Sequence, residues 1–124
     1  MYVKYNPNKN NSGTVGDCVI RGVSKVMNMS WEDTYLELSL QGMLMGDLPN
    51  SNSVFGAYLI KHGFRRYAIP NTCPECFTVK DFCFEHPQGT YLLATGTHVI
   101  AVINGDYYDA WDSGQEVPVY YFER

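Results

Sequence analysis

One cysteine of this chain stands where a thiol can become a nucleophile. Cys18 follows Asp17, and apolar residues then recur at the spacing of a buried helix face, with Arg21 and Lys25 on the solvent side. Asp17 is of a type that caps helices, so we predict that Cys18 lies in the first helical turn. The N–H groups and the dipole at that end lower the pKa of a thiol. Cys18 is therefore a candidate nucleophile.

A thiolate nucleophile needs an imidazole that takes and returns a proton, and a polar group that orients the imidazole. The chain has three histidines, His62, His86 and His98. His98 opens a predicted strand, and the strand that returns from it carries Asp109 and Asp112. We predict that His98 is the general base, because it has a carboxylate in reach.

The turn between these two strands decides which carboxylate faces the imidazole. Asn104 and Gly105 together are a strong signal for a two-residue hairpin turn, and that register favours Asp109 as the partner of His98. A three-residue loop would set Asp112 opposite His98 instead. The residues alone leave both registers open.

A cysteine at a helix start, a histidine at a strand start and an aspartate on the returning strand occur here in that order. This arrangement resembles the papain-like cysteine peptidase superfamily, and the resemblance covers nearly the whole chain. The matching segments are residues 16–18 (GDC), 96–102 (GTHVIAV) and 111–114 (WDSG). The Asp-Cys start and the late acid look most like the double-glycine leader peptidases of bacteriocin exporters.

The resemblance implies a cysteine peptidase or amidase that acts on a peptide or protein substrate and requires no cofactor. Cys18 would be the nucleophile, His98 the general base and acid, and Asp112 the group that orients the imidazole. We place Asp112 ahead of Asp109 on this ground. The alternative is a papain-like domain that binds without turnover, because a fold does not by itself supply chemistry.

The resemblance also implies an oxyanion donor about six residues before the nucleophile. This chain has Ser12 at that position and Asn11 one residue further back. An amide is the more persuasive donor of the two, so we take Asn11 as the candidate.

A second group of residues could hold a metal ion. Cys73 and Cys76 form a C-x2-C pair, and Cys83 and His86 follow as C-x2-H. Four ligands of these types can bind a structural zinc ion, which would stabilise either the enzyme or the non-catalytic alternative. The other interpretation is a cysteine-rich turn in which Cys83 belongs to the core.

The hydrophobic pattern predicts a helical first half and a strand-rich second half. Helices should follow Asp17, Ser30 and Ser51, and a brief helix should begin at Thr78. The predicted strands cover residues 64–69, 90–95, 98–103, 106–111 and 117–122. Helices followed by strands favour an α+β fold, here the papain-like arrangement of N-terminal helices packed on a C-terminal antiparallel sheet. We expect one domain over residues 1–124, of which 1–14 form a polar arm.

Composition excludes several partners. The chain has 124 residues and a formal net charge of −4, and its nine basic residues are scattered, so we expect no nucleic-acid partner. No segment approaches eighteen consecutive apolar residues or resembles an export signal. We therefore expect no membrane partner, a cytoplasmic location and cysteines that are thiols, metal ligands or nucleophiles and not disulfides. Nothing in the sequence predicts an oligomeric state.

Overall fold

The structure is a computed structural model that describes residues 1–11 and 15–124. Over those ranges it has four helices and six strands, so the predicted α+β class is confirmed. The helices are α1 (Cys18–Met27), α2 (Trp31–Met45), α3 (Asn52–Lys61) and α4 (Val79–Glu85). The strands are β1 (Tyr2–Lys4), β2 (Arg65–Ala68), β3 (Thr90–Ala94), β4 (Val99–Ile103), β5 (Asp106–Asp109) and β6 (Tyr120–Glu123), in the sheet order β1-β5-β4-β3-β6-β2.

The sheet is mixed, whereas the sequence predicted an antiparallel one. β1 pairs with β5 in parallel, with Tyr2 opposite Tyr107. The other neighbouring strands pair antiparallel. The first residues are therefore not simply a polar arm. Three residues carry too little alternation to predict a strand, and only their long-range pairing with β5 makes them one.

Both faces of the sheet are covered by helices. Along β3, Leu92 and Ala94 face the cluster that α1, α2 and α3 form with the sheet. Tyr91 and Leu93 face the opposite side, where Phe82 of α4 packs. This alternation is the period of two expected for a strand that is buried on both faces. Within the described ranges, no helix is long and apolar enough to cross a membrane.

Local signals explain where the helices begin and how closely α1 approaches the sheet. The side chain of Ser30 accepts a hydrogen bond from the N–H of Asp33, and Thr78 forms a capping box with Asp81. A Cβ atom on Gly22 would lie 2.8 Å from Cδ1 of Leu92. The other near atom is Cγ2 of Val99 at 3.3 Å, so the glycine lets α1 lie directly on β3 and β4.

The turn between β4 and β5 has two residues. Asn104 and Gly105 both have positive φ, 49° and 81°, and Ile103 is paired with Asp106. The turn therefore has the shorter of the two loop lengths considered from the sequence, and its register is the one that favours Asp109.

Candidate active site

Cys18 is the first residue of α1 and lies, partly buried, in a cleft of about 380 Å³. The cleft lies between the start of α1, the start of α3 and the turn before β4. Its lining residues are Gly16, Cys18, Val19, Asn50, Ser51, Asn52, Gly96, Thr97, His98 and Val99. The thiol and the imidazole of His98 therefore share one cleft.

His98 is held by the turn that precedes β4. Its backbone N–H donates to Oγ1 of Thr95 at 3.1 Å, and its carbonyl accepts from the N–H of Thr95 at 2.9 Å. Gly96 adopts a φ of +103°, which a residue with a side chain rarely adopts, so this turn requires its glycine. The backbone thus fixes the imidazole at the edge of the cleft.

The imidazole is paired with Asp109, the last residue of β5. Nε2 of His98 lies 2.7 Å from Oδ2 of Asp109, and that oxygen also accepts from the hydroxyl of Ser113 at 2.6 Å. Oδ1 of the same carboxylate accepts from Arg21 and from the backbone N–H of Ala110, each at 2.8 Å. Asp109 is fully buried, and four donors hold both of its oxygens in place.

Asp112, which the sequence analysis placed first as the partner of His98, lies elsewhere. It accepts hydrogen bonds from the hydroxyl of Tyr107 and from the backbone N–H of Gly114, and it is exposed. The order of preference between the two aspartates is therefore corrected. The two-residue turn gives the register that favours Asp109 as the partner of His98. The preference for Asp112 came from the family resemblance.

Arg21 is buried, although its place in the helical pattern predicted the solvent side of α1. Its guanidinium joins the carboxylates of Asp17 and Asp109, and Asp17 also accepts from Nε1 of Trp31 at 2.9 Å. Asp17 thus makes no side-chain cap bond on α1. Sequence reasoning missed this bridge, and the only signal for it is the i, i+4 spacing of Asp17 and Arg21.

The surroundings of Cys18 favour its ionised form. Burial opposes ionisation and by itself would raise the pKa of the thiol. The hydrogen bond with His98, the backbone N–H of Val99 and the positive charges of His98 and Arg21 act in the other direction. These contacts outweigh burial, so the pKa of Cys18 is lowered from its ordinary value.

The pKa values of His98 and Asp109 are also shifted towards the ionised forms of both groups. Burial disfavours the imidazolium, but the hydrogen bonds and negative charges of Asp109 and Cys18 raise the pKa of His98 to about 9. Burial likewise opposes ionisation of Asp109, but hydrogen bonds from His98 and Ser113 and the charges of His98 and Arg21 lower its pKa. Each charge stabilises its neighbour, which favours a thiolate beside an imidazolium.

Trp111 stacks on the imidazole. The ring centroids of His98 and Trp111 lie 5.1 Å apart, with 28° between the planes. The side chain of His98 is only 12% exposed, while Trp111 is half exposed. The indole therefore shields the bond between His98 and Asp109 from water.

Asn11, the candidate oxyanion donor, lines a second cavity and is absent from the lining of the Cys18 cleft. This cavity has a volume of about 330 Å³, and its wall includes Trp31 and Tyr35. Gly16 borders both cavities, so the two cavities adjoin. Ser12, the other position considered, lies outside the described residues.

The four residues considered for zinc are not grouped as a ligand set in the described structure. Cys73 and Cys76 form a disulfide, which corrects the expectation that the cysteines are not paired in disulfides. Cys83 is buried in the core on the α4 face, and the ring of His86 stacks on Phe82 with centroids 3.8 Å apart. Among residues 1–11 and 15–124, no group of three or more His, Cys, Asp or Glu side chains is arranged to hold a metal ion.

The cleft also contains residues that the sequence analysis did not single out. Asn50, Ser51 and Asn52 form the wall contributed by the start of α3, where the sequence predicted only that a helix begins after Ser51. Comparisons of the chain with protein-family models, with curated proteins and with solved structures find no match. The chemistry of the site therefore has to be argued from its own geometry.

Proposed function

We propose that this chain is a papain-like cysteine peptidase or amidase that uses Cys18, His98 and Asp109. The observation that carries the proposal is the position of His98, which lines the same cleft as the Cys18 thiol while its Nε2 is held by the buried carboxylate of Asp109. A nucleophile, a base and an orienting acid in this relation are the requirements of covalent acyl transfer.

In the first half of the reaction, the thiolate of Cys18 attacks the carbonyl carbon of a peptide or amide. A bond forms between sulfur and carbon, and the carbonyl electrons move to oxygen. Since Asp109 holds Nε2, Nδ1 of His98 gives its proton to the leaving nitrogen as the carbon–nitrogen bond breaks. The amine leaves, and a thioester remains on Cys18.

In the second half, water attacks the thioester while Nδ1 of His98 takes a proton from it. The carbon–sulfur bond breaks, the carboxylic acid leaves and the thiolate returns. An amine in place of water would give transfer to that acceptor by the same steps. The charge of Asp109 stabilises the imidazolium whenever His98 holds the extra proton.

The negative oxygen of the intermediate forms beside the start of α1. The first N–H groups of a helix have no acceptor within the helix, and the dipole there favours an anion. The N–H of Cys18 is the donor that the position of the thiol provides, and Asn11 is the candidate for a second donor. Losing one such donor costs roughly a hundredfold in rate.

Acylation of the protein tests this proposal directly. The wild type and Cys18→Ala would be mixed with p-nitrophenyl acetate, with release of p-nitrophenol followed in time and the acetylated residue identified by peptide mass spectrometry. We expect a burst of one equivalent, acetyl on Cys18, and then steady turnover. Cys18→Ala should show neither, whereas Cys83→Ala, which removes the other free thiol, should behave as the wild type.

A peptide library then identifies the bond that is cleaved. New termini should appear with the wild type and be absent with Cys18→Ala. If Cys18 is not acylated and no peptide is cut, the papain-like binding domain without turnover becomes the better description of the chain.

A further inference from the structure

Helix α2 carries an apolar face that the fold does not use. The four residues Leu36, Leu40, Met43 and Leu44, here called the outer stripe, are between 52 and 72% exposed. Their spacing of four, three and one places them on one side of the helix.

The opposite side of α2 already makes the contacts that the domain needs. Thr34, Leu38 and Gly42 are its buried residues, and α2 packs there against α1 and α3. The outer stripe is therefore additional to the core. Contiguous exposed apolar surface of this kind marks an interaction site.

The sequence segment that carries the outer stripe has only acidic charges. From residue 31 to residue 60 the sequence has four acidic residues, Glu32, Asp33, Glu37 and Asp47, and no Lys, Arg or His. The rest of the chain has equal numbers of acidic and basic residues, so this segment accounts for the whole formal charge of −4. The backbone N–H of Leu48 and nearby serine hydroxyls lower the pKa of Asp47, which keeps it ionised.

This combination selects one kind of occupant. A second copy of the chain on the same face would bring two acidic segments together, and an anionic lipid surface would be repelled. A helix with an apolar stripe flanked by Lys or Arg matches both the spacing and the charge. We propose that the outer stripe of α2 docks a basic amphipathic helix of a partner protein, independently of the thiol chemistry.

A model peptide tests this docking. The probe is an 18-residue helical peptide with leucines at i, i+3, i+4 and i+7 and lysines elsewhere, labelled for fluorescence anisotropy. We expect saturable binding that weakens as salt rises, and at least about tenfold weaker binding to the double variant Leu40→Gln/Met43→Gln. The matched control Phe84→Gln, which changes an 88% exposed side chain outside α2, should bind as the wild type.

Two further peptides separate spacing from charge. A peptide of the same composition in scrambled order should bind at least about tenfold more weakly, and so should the helical peptide with glutamates in place of lysines. Leu36→Gln/Leu44→Gln gives a second variant of the outer stripe, and thermal unfolding checks that each variant is folded.

Three results would overturn the proposal. The first is equal binding of the scrambled and helical peptides, or equal binding to wild type and to both stripe variants. The second is a wild-type dimer in light scattering that the stripe variants lose, which would assign the face to a second copy. The third is binding to vesicles of phosphatidylcholine and phosphatidylglycerol that the stripe variants lose, which would assign it to lipid.

Discussion

Cys18 and Cys83 are the two free thiols of the described structure, and they lie on helices that cover opposite faces of the sheet. Burial is the largest single influence on both, and acting alone it would raise the pKa of each thiol. For Cys83, within the core, the pKa rises to about 11. For Cys18, hydrogen bonding by His98 and Val99 and the positive charges of His98 and Arg21 reverse the effect.

The difference between Cys18 and Cys83 shows that burial alone does not determine the reactivity of a thiol. Cys83 lies in the middle of α4, where the backbone N–H groups are used within the helix, and its neighbours are core side chains. Cys18 lies at a helix start, beside the ends of two strands that supply an imidazole and a carboxylate. A partly buried cysteine becomes a nucleophile only where nearby hydrogen-bond donors and cations stabilise the thiolate by more than its desolvation costs.

Replacing the imidazole of His98 should have the largest effect: it should make the reactivity of Cys18 most similar to that of Cys83. In His98→Gln, Cys18 keeps its burial but loses the hydrogen bond and charge of His98, so its pKa should rise and its alkylation at pH 7 should slow by about a hundredfold or more. Iodoacetamide labelling of each cysteine across a pH series, read by peptide mass spectrometry, measures this change. The midpoint of Cys18 should move to higher pH.

His62→Gln is the matched control, because His62 closes α3 and is absent from the lining of the cleft. Labelling of Cys18 there should match the wild type, and labelling of Cys83 should stay slow in every sample. An unchanged pH profile for Cys18 in His98→Gln would remove the imidazole from the explanation of the difference.

The next largest effect should come from Asp109→Asn. Without this carboxylate the pKa of His98 falls from about 9, the imidazolium is less stable, and labelling of Cys18 near neutral pH should slow by about tenfold to a hundredfold. The variant should also lose about 3 kcal/mol of folding free energy at pH 7, since a buried ion pair is broken.

The acid dependence of that loss has a definite sign. The pKa of folded Asp109 is lowered, so its contribution to stability is present above the unfolded value of about 3.9 and is lost as the pH falls through the folded value. Urea unfolding at several pH values should show the gap between wild type and Asp109→Asn closing in acid. A gap that is constant with pH would mean that the ionised carboxylate is not its source.

Arg21→Lys should have a smaller effect on the same thiol. The guanidinium spans two carboxylates, Asp17 and Asp109, and a single ammonium group cannot reproduce that fork. With Asp109 less firmly held, we expect Cys18 labelling to slow by roughly tenfold, with a matching shift of its pH midpoint. Arg66→Lys, a cation stacked on Tyr120, is the control, and equal labelling of the two variants would limit Arg21 to a structural role.

The order of the elements follows from local signals that are present in the sequence. Helix starts at Ser30 and Thr78 and the turn at Asn104 and Gly105 were predicted because capping and turn chemistry act over a few residues. β1 was missed because its pairing with β5 spans about a hundred residues of chain and leaves no local pattern.

The candidate site likewise contains residues that the sequence predicted and one that it did not. Cys18 and His98 were chosen from their places at a helix start and a strand start, and the structure brings them into one cleft. The buried bridge of Arg21 was not predicted, because a charged residue within an amphipathic helix normally faces solvent. Both carboxylates that pair with this charge, Asp17 and Asp109, are buried, and Asp109 comes from a strand that lies 88 residues further along the chain.

The smallest effect should come from Asp112→Asn, which tests the residue that the family pattern favoured. Asp112 is exposed and bonded to Tyr107 and Gly114, and an asparagine oxygen can accept both of those hydrogen bonds. Labelling of Cys18 should therefore stay within about threefold of the wild type, with its pH midpoint unchanged. If Asp112→Asn instead slowed Cys18 as much as Asp109→Asn, the carboxylate that orients His98 in solution would be Asp112. The assignment of Asp109, which depends on the two-residue register of the hairpin, would then be wrong.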